Sequence, residues 1–135
     1  MANALICIGD VFSDGFGGSS GPLWGVFISQ GATKLKPKLA DNTKEDWINA
    51  YNEGLKAMMK VGGAEKGDRT MVDALIFGQE YLAKGELDFQ KLAEATRAGA
   101  EYAKSITANK GRSAYIGDQV IGKPDPGCEL TALIF

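Results

Sequence analysis

The feature that most constrains this fold is a helical hydrophobic period that restarts after each glycine-rich break. Apolar residues recur three and four positions apart in six segments, most clearly between Trp47 and Met59. This period is typical of amphipathic helices. The alternation that is typical of strands is confined to residues 114–116 and 120–121. The sequence therefore predicts an all-α fold.

Capping residues predict where these helices begin. The second helix is expected to start at residues 19–20 and to run towards Pro37. A last helix is expected over residues 128–135. The candidate caps of the other helices are Thr43 with Asp46 as a capping box, Asp68, Asp88, and Asp125 followed by Pro126.

Composition excludes several classes of function. The chain has 135 residues, which predicts a single domain over residues 1–135. Its 15 basic and 17 acidic residues give a formal charge of −2, which argues against nucleic acid or a membrane surface as a partner. Histidine is absent, and this excludes catalytic triads and histidine zinc sites. Without a signal peptide or a long apolar run, the expected location is cytoplasmic.

The two cysteines, Cys7 and Cys128, are too few for a disulfide scaffold. Both are interpreted as buried small apolar residues rather than nucleophiles, because no histidine can activate them. Asp10 and Asp14 lie one helical turn apart, but two carboxylates alone make a poor Mg²⁺ site. They are interpreted as a solvated face.

Glycine is unusually frequent, with 18 of 135 residues, or about twice the average usage. The first cluster reads Gly-Gly-Ser-Ser-Gly over residues 17–21 at a predicted helix start. Glycines allow close approach, and helix N–H groups and serine hydroxyls can bind an anion. This is not a Walker A loop, since no Gly-Lys-Ser/Thr follows. An ordinary capped turn is the alternative.

The second loop, Gly-Asp-Arg-Thr-Met-Val-Asp, brings two carboxylates, a guanidinium and a hydroxyl to a junction between a loop and a helix. One interpretation is a cap at Asp68 with an internal ion pair to Arg69 or Arg112. The other places Thr70 and Met71 against a base or sugar, since methionine makes an adaptable apolar wall. Arg112 can then bind phosphate instead.

Four motifs, in this order, resemble the nucleotide-binding L domain of dihydroxyacetone (glycerone) kinases. They read GGSSGPLWG over residues 17–25, GDRTMVDAL over 67–75, GRSAYIGD over 111–118 and DPG over 125–127. The resemblance covers essentially the whole chain. Its detail is closer to the fused animal-type enzymes (triokinase and FMN cyclase) than to bacterial phosphotransferase-linked subunits.

The resemblance implies an antiparallel α-helical barrel with a nucleotide at one end, under the glycine-rich loops. Both ends of the chain look truncated against the family pattern, so the expected barrel is incomplete. The implied nucleotide-binding residues are Ser19 and Ser20 at the phosphates, Gly62, Thr70 and Met71 on the adenosine side, Asp125, Pro126 and Gly127 closing the pocket, and Arg112 as a further candidate.

The implied function is the ATP/ADP-binding portion of a kinase that phosphorylates dihydroxyacetone. Mg²⁺ belongs to the complete enzyme, whose metal ligands lie upstream of the serine loop and find no match in this chain. Catalytic residues are not identified, and the chain alone is expected to be inactive.

The implied partner is a dihydroxyacetone-binding domain or subunit. Apolar faces left by missing helices would favour a homodimer. Two alternatives remain open, namely an L-type domain that serves another acceptor such as a fatty acid, and a nucleotide-free structural module.

Overall fold

The computed structural model describes residues 2–15 and 17–135, and the chain divides into two compact units. The first unit ends at Gly63 and the second spans Ala64–Phe135. Every regular element in the described residues is helical, which confirms the predicted all-α class. None of these helices has the length and apolarity that crossing a membrane requires.

The first unit contains three α-helices. α1 packs against α2, and α2 packs against α3. The second helix was expected to continue towards Pro37, but it ends at Ala32, and the N–H groups of the next three residues bond three positions back. This tightening agrees with the bias against helix before a proline. The elements are α1 (Ala2–Gly15), α2 (Ser20–Ala32), a 3₁₀ turn (Leu39–Asp41) and α3 (Lys44–Gly62).

Helices α1 and α2 approach each other through backbone rather than side chains. A Cβ added at Gly25 would lie 2.5 Å from the carbonyl oxygen of Gly9 and would overlap the hydroxyl of Ser13. A Cβ added at Gly9 would lie 2.8 Å from the carbonyl oxygen of Gly25. Only glycine therefore fits this crossing without a shift of one helix.

The second unit contains α4, α5 and α6, which pack on one another through small side chains. One cluster in its core consists of Ala74, Ala100, Ala103, Cys128 and Ala132. Between α5 and α6 runs a 3₁₀ segment that Gly117 interrupts. The elements are α4 (Met71–Leu82), α5 (Phe89–Lys104), the 3₁₀ segment (Arg112–Val120) and α6 (Pro126–Ile134).

Three predictions about local structure are wrong. The strand candidates at residues 114–116 and 120–121 are wrong because both runs belong to the 3₁₀ segment or its end. Gly111, Gly117 and Gly122 have φ of 71°, 65° and 81°, and such left-handed turns prevent an extended strand. The burial of Cys7 is also wrong, since its side chain is exposed on α1. Cys128 is buried as predicted.

The capping predictions fare better. Thr43 and Asp46 form the expected capping box at α3, and Asp88 caps α5 by accepting from the N–H of Lys91 at 3.0 Å. Asp125 caps α6, with Pro126 in the first turn. The cap predicted at Asp68 is wrong, for a reason that the site geometry makes clear.

Candidate functional site

The first group of candidate residues lies at the N-terminus of α2. Ser19 occupies the N-cap position with helical backbone angles, and its side chain makes no capping hydrogen bond. An N-cap serine ordinarily has extended angles and accepts from a backbone N–H of the first turn. Ser19 and Ser20 are both exposed. Capping therefore does not explain Ser19. The exposed hydroxyls of both serines lie at the N-terminus of α2.

Gly62 belongs to this same group. A Cβ added at Gly62 would lie 3.0 Å from Cδ2 of Leu23. Leu23 sits in the first turn of α2 and donates its N–H to the carbonyl of Ser19 at 3.3 Å. The last residue of α3 therefore lies beside the first turn of α2, and the first unit brings Ser19, Ser20 and Gly62 close together.

The second group begins at the N-terminus of α4, where Thr70 rather than Asp68 is the cap. The Thr70 hydroxyl accepts from the N–H of Val72 at 3.2 Å, and Oδ2 of Asp73 accepts from the N–H of Thr70 at 2.9 Å. Asp68 instead accepts from the N–H of Glu65 at 2.9 Å and closes the preceding turn. The prediction of a cap at Asp68 is wrong because Thr70 is also a residue that commonly caps helices, and it stands directly before α4.

Asp73 also fixes the glycine-bearing loop. Its Oδ1 accepts from the N–H of Gly67 at 2.6 Å, while Oδ2 binds Thr70. The side chain is fully buried. A buried carboxylate is stable only when its oxygens are hydrogen-bonded. The buried Asp73 carboxylate therefore fixes the conformation of the loop between Gly67 and Thr70.

The N-termini of α4 and α6 meet. A Cβ added at Gly127 would lie 3.5 Å from Cβ of Met71. The thiol of Cys128 donates to the carbonyl of Thr70 at 2.9 Å, and Oδ2 of Asp125 accepts from the N–H of Cys128 at 3.0 Å. The second unit thus brings together Thr70, Met71, Asp125 and Gly127, with Pro126 exposed between the last two.

Arg112 opens the 3₁₀ segment and is exposed. The next residue, Ser113, connects Arg112 to the second group, because the Ser113 hydroxyl donates to Oδ1 of Asp125 at 3.5 Å. Sequence reasoning missed the parts that Ser113 and Cys128 play here. The position of Cys128, three residues after a capping Asp125, was the available signal; nothing in the sequence singled out Ser113.

Arg69 does not make the ion pair that the sequence suggested. It is 2% exposed, and its donors contact the carbonyls of Ala103, Val120 and Lys123. The expectation failed because three backbone carbonyls, one at the end of α5 and two within residues 120–123, converge on the guanidinium. Arg69 and Asp73 are accordingly internal supports and not exposed ligands.

The ionisable groups near α6 do not form a nucleophilic site. Burial, together with the nearby Asp125 and Asp73, raises the pKa of the Cys128 thiol well above its usual range, so this thiol is not ionised at neutral pH. For Glu129, partial burial raises the pKa, but hydrogen bonds from Arg97 and Lys104 outweigh it and leave the pKa below its ordinary value. Arg97 lies 2.6 Å from this carboxylate.

The donor set suits a phosphate better than a metal. Hydroxyls, glycines and a helix N-terminus are the usual partners of phosphate oxygens. Within residues 2–15 and 17–135, no three acidic or cysteine side chains are grouped as a metal site would need. The hydroxyl and N–H donors at these helix ends therefore fit a phosphate and not Mg²⁺.

Comparisons with known proteins identify the family of this chain. The family model described as the DAK2 domain matches residues 1–135. The human triokinase/FMN cyclase is 41% identical over 125 residues, which are 87% of this chain and 21% of the relative. The ADP-binding subunit of a PEP-dependent dihydroxyacetone kinase from Listeria innocua is 34% identical over 138 residues, covering 98% of this chain and 61% of the subunit.

The fold is also similar to a solved one. The crystal structure of the dihydroxyacetone kinase of C. freundii superposes with a TM-score of 0.75 at 31% identity, covering 98% of this chain and 22% of that one. Its complex with AMP-PNP and Mg²⁺ gives a TM-score of 0.72 at 30% identity. The chain spans about a fifth of the length of the human relative.

Proposed function

Because the chain belongs to the DAK2 domain family, we propose that it is a nucleotide-binding domain that binds ATP or ADP. Ser19 and Ser20 bind the phosphates. Gly62, Thr70 and Met71 line the adenosine side. The pocket is closed by Asp125, Pro126 and Gly127, with Arg112 as a further phosphate ligand.

One observation supports this proposal above the others. Ser19 sits at the open end of α2 without the capping hydrogen bond that would otherwise explain it. The positive end of the helix dipole and the N–H groups of the first turn favour an anion at this place. The name of the Listeria innocua relative describes an ADP-binding subunit, and the C. freundii kinase was crystallised with AMP-PNP and Mg²⁺.

The parent protein is proposed to be a cytoplasmic kinase that transfers a phosphoryl group from ATP to dihydroxyacetone. In such a reaction, catalysis consists mainly of positioning and of stabilising the phosphate charge. The chain supplies the phosphate-binding hydroxyls and N–H groups, and a dihydroxyacetone-binding domain or subunit supplies the acceptor. The ligands of Mg²⁺ are proposed to lie in a part of the protein other than the residues described here.

The test is a calorimetric titration of ADP into the 135-residue chain, with and without Mg²⁺. Replacing both Ser19 and Ser20 by alanine removes two hydrogen bonds to a charged group. We expect this to weaken binding by about 2–4 kcal/mol, or about 30- to 700-fold in Kd. Thr70→Ala should cost less, since the Thr70 oxygen already accepts from Val72.

The matched control is Ser105→Ala, another exposed serine at a helix end, whose hydroxyl donates to the carbonyl of Tyr102 at 2.7 Å. This variant should bind ADP as the unmodified chain does. A double serine variant that is folded and has unchanged ADP affinity would return the two serines to a purely structural role. A folded chain that binds no ADP would contradict nucleotide binding by these residues.

A further inference from the structure

Arg69 combines two unfavourable features at one position. Its backbone has φ of 58°, a left-handed conformation that residues with a Cβ rarely adopt. Its side chain is 2% exposed, although burial of a charge is costly unless hydrogen bonds compensate. Both features persist only where surrounding contacts hold them in place.

Those contacts reach two distant parts of the second unit, the end of α5 and residues 120–123. Nε of Arg69 donates to the carbonyl of Ala103 at 2.9 Å, in the last turn of α5. Nη2 donates to the carbonyls of Val120 and Lys123, both at 2.6 Å. Val120 ends the 3₁₀ segment, and Lys123 stands two residues before the cap of α6. One guanidinium thus links the end of α5 to residues 120–123, at the C-terminal end of the connection between α5 and α6.

That connection needs an anchor, because most of it faces solvent. Tyr115, in the middle of the 3₁₀ segment, is 92% exposed. Besides the bonds to Arg69, Gly122 donates its N–H to the carbonyl of Lys104 at 2.7 Å. The segment has little apolar burial to fix its conformation, and such regions open locally unless specific hydrogen bonds prevent it.

We propose that Arg69 is a positioning residue for the nucleotide. By fixing residues 120–123, it orients the part of the 3₁₀ segment after Gly117 and the N-terminus of α6, whose cap is Asp125. Arg69 itself is buried and contacts no ligand. The anchoring stands on the geometry of the second unit alone, while its consequence for binding rests on the proposed function.

The test is Arg69→Lys in the 135-residue chain. A lysine has one ammonium on a flexible stem and cannot reproduce the planar fork of a guanidinium. Amide hydrogen exchange over residues 118–124 should become about 10-fold faster or more, while the amides of α4 and α5 stay within about threefold. The Kd for ADP should rise about 10-fold or more.

Two control variants separate positioning from general loss of stability. Arg97→Lys makes the same chemical change at the α5–α6 ion pair and should leave both readouts within about twofold. Leu82→Ala opens a cavity at the far end of α4, about 16 Å along the helix from its N-terminus. This variant should lower the melting temperature, but amide hydrogen exchange at residues 118–124 should not rise more than it does elsewhere in the second unit. If Arg69→Lys does not fold, Arg69→Gly removes the guanidinium and relieves the left-handed backbone.

Each result is decisive. Protection of residues 118–124 within twofold of the unmodified chain, in a folded Arg69 variant, overturns the anchoring. Faster exchange with unchanged ADP affinity overturns the role in binding. If the unmodified chain binds no ADP, the proposed function fails, whereas the exchange data still decide whether Arg69 anchors the segment.

Discussion

The two capping boxes of this chain show what burial and a second N–H group add to one motif. Thr43 with Asp46 and Thr70 with Asp73 have the same spacing, but the side chain of Asp46 is 27% exposed whereas Asp73 is 0% exposed. Asp46 accepts from the N–H of Thr43 at 2.8 Å. Asp73 accepts from two N–H groups, at 2.6 Å from Gly67 and 2.9 Å from Thr70.

Replacing Asp73 by alanine should therefore destabilise the second unit strongly. Each hydrogen bond to a charged group contributes about 1.5–3 kcal/mol, and the two N–H groups left behind would be without their partner. The relieved burial of the carboxylate offsets part of this loss. We expect the free energy of unfolding to fall by about 3 kcal/mol or more. Asp46→Ala should cost about 1 kcal/mol, as exposed caps do.

The assay must report each unit separately. Native-state hydrogen exchange gives the opening free energy of individual amides, so α4 can be followed for the Asp73 variant and α3 for the Asp46 variant. Denaturation followed by tryptophan fluorescence adds a check, because both tryptophans, Trp24 and Trp47, lie in the first unit. Equal losses in the two variants would refute the argument that burial strengthens the box.

Two further predictions concern packing and pH. Gly25→Ala should destabilise the first unit by about 2–3 kcal/mol in chemical denaturation, because the added methyl overlaps α1. Its control is Gly15→Ala, where the new Cβ meets nothing within 4 Å, and this variant should be neutral or slightly stabilising. Equal effects of the two substitutions would contradict the close approach of α1 and α2. Glu129 has a folded pKa below its ordinary value of 4.5, so its contribution is present above that value and is lost as the pH falls through the folded pKa. Melting temperatures at neutral and acid pH should therefore differ less for Glu129→Gln than for the unmodified chain, and an identical difference would contradict the ion-pair assignment.

Much of the helical framework could be predicted from sequence because local signals and packing agree. Thr43 with Asp46, Asp88 and Asp125 with Pro126 each place a helix start where the structure has one. In these cases a short polar side chain stands directly before an apolar period, and no neighbour competes for the cap.

The failures have two physical causes, namely contacts distant in sequence and local turns that the hydrophobic period does not reveal. The role of Arg69 could not be read from its neighbours, because its acceptors lie 34 to 54 positions away. Residues 114–116 alternate like a strand, yet glycines on either side turn the chain. The Thr70 cap was the exception, because the pattern recognised at Thr43 is repeated there.

The positions of the candidate residues could be predicted in part, while their role in binding stays a prediction. The sequence pointed to the ends of α2, α4 and α6, and the structure brings the predicted residues into one group in each unit. The meeting of α4 with α6 through Cys128 and Thr70 was not foreseen. The position of Cys128, three residues after the capping Asp125, indicates a residue in the first turn of α6 but not the carbonyl to which its thiol donates.

The glycine contact between α1 and α2 has a consequence for ligand affinity. Because the helix backbones touch at Gly9 and Gly25, the N-terminal half of α2 is held against α1 without a bound ligand. A binding group that is already held in place loses little conformational entropy on binding. Under the proposed function, the interaction energy of the Ser19 and Ser20 hydroxyls with phosphate would then appear in the affinity almost undiminished.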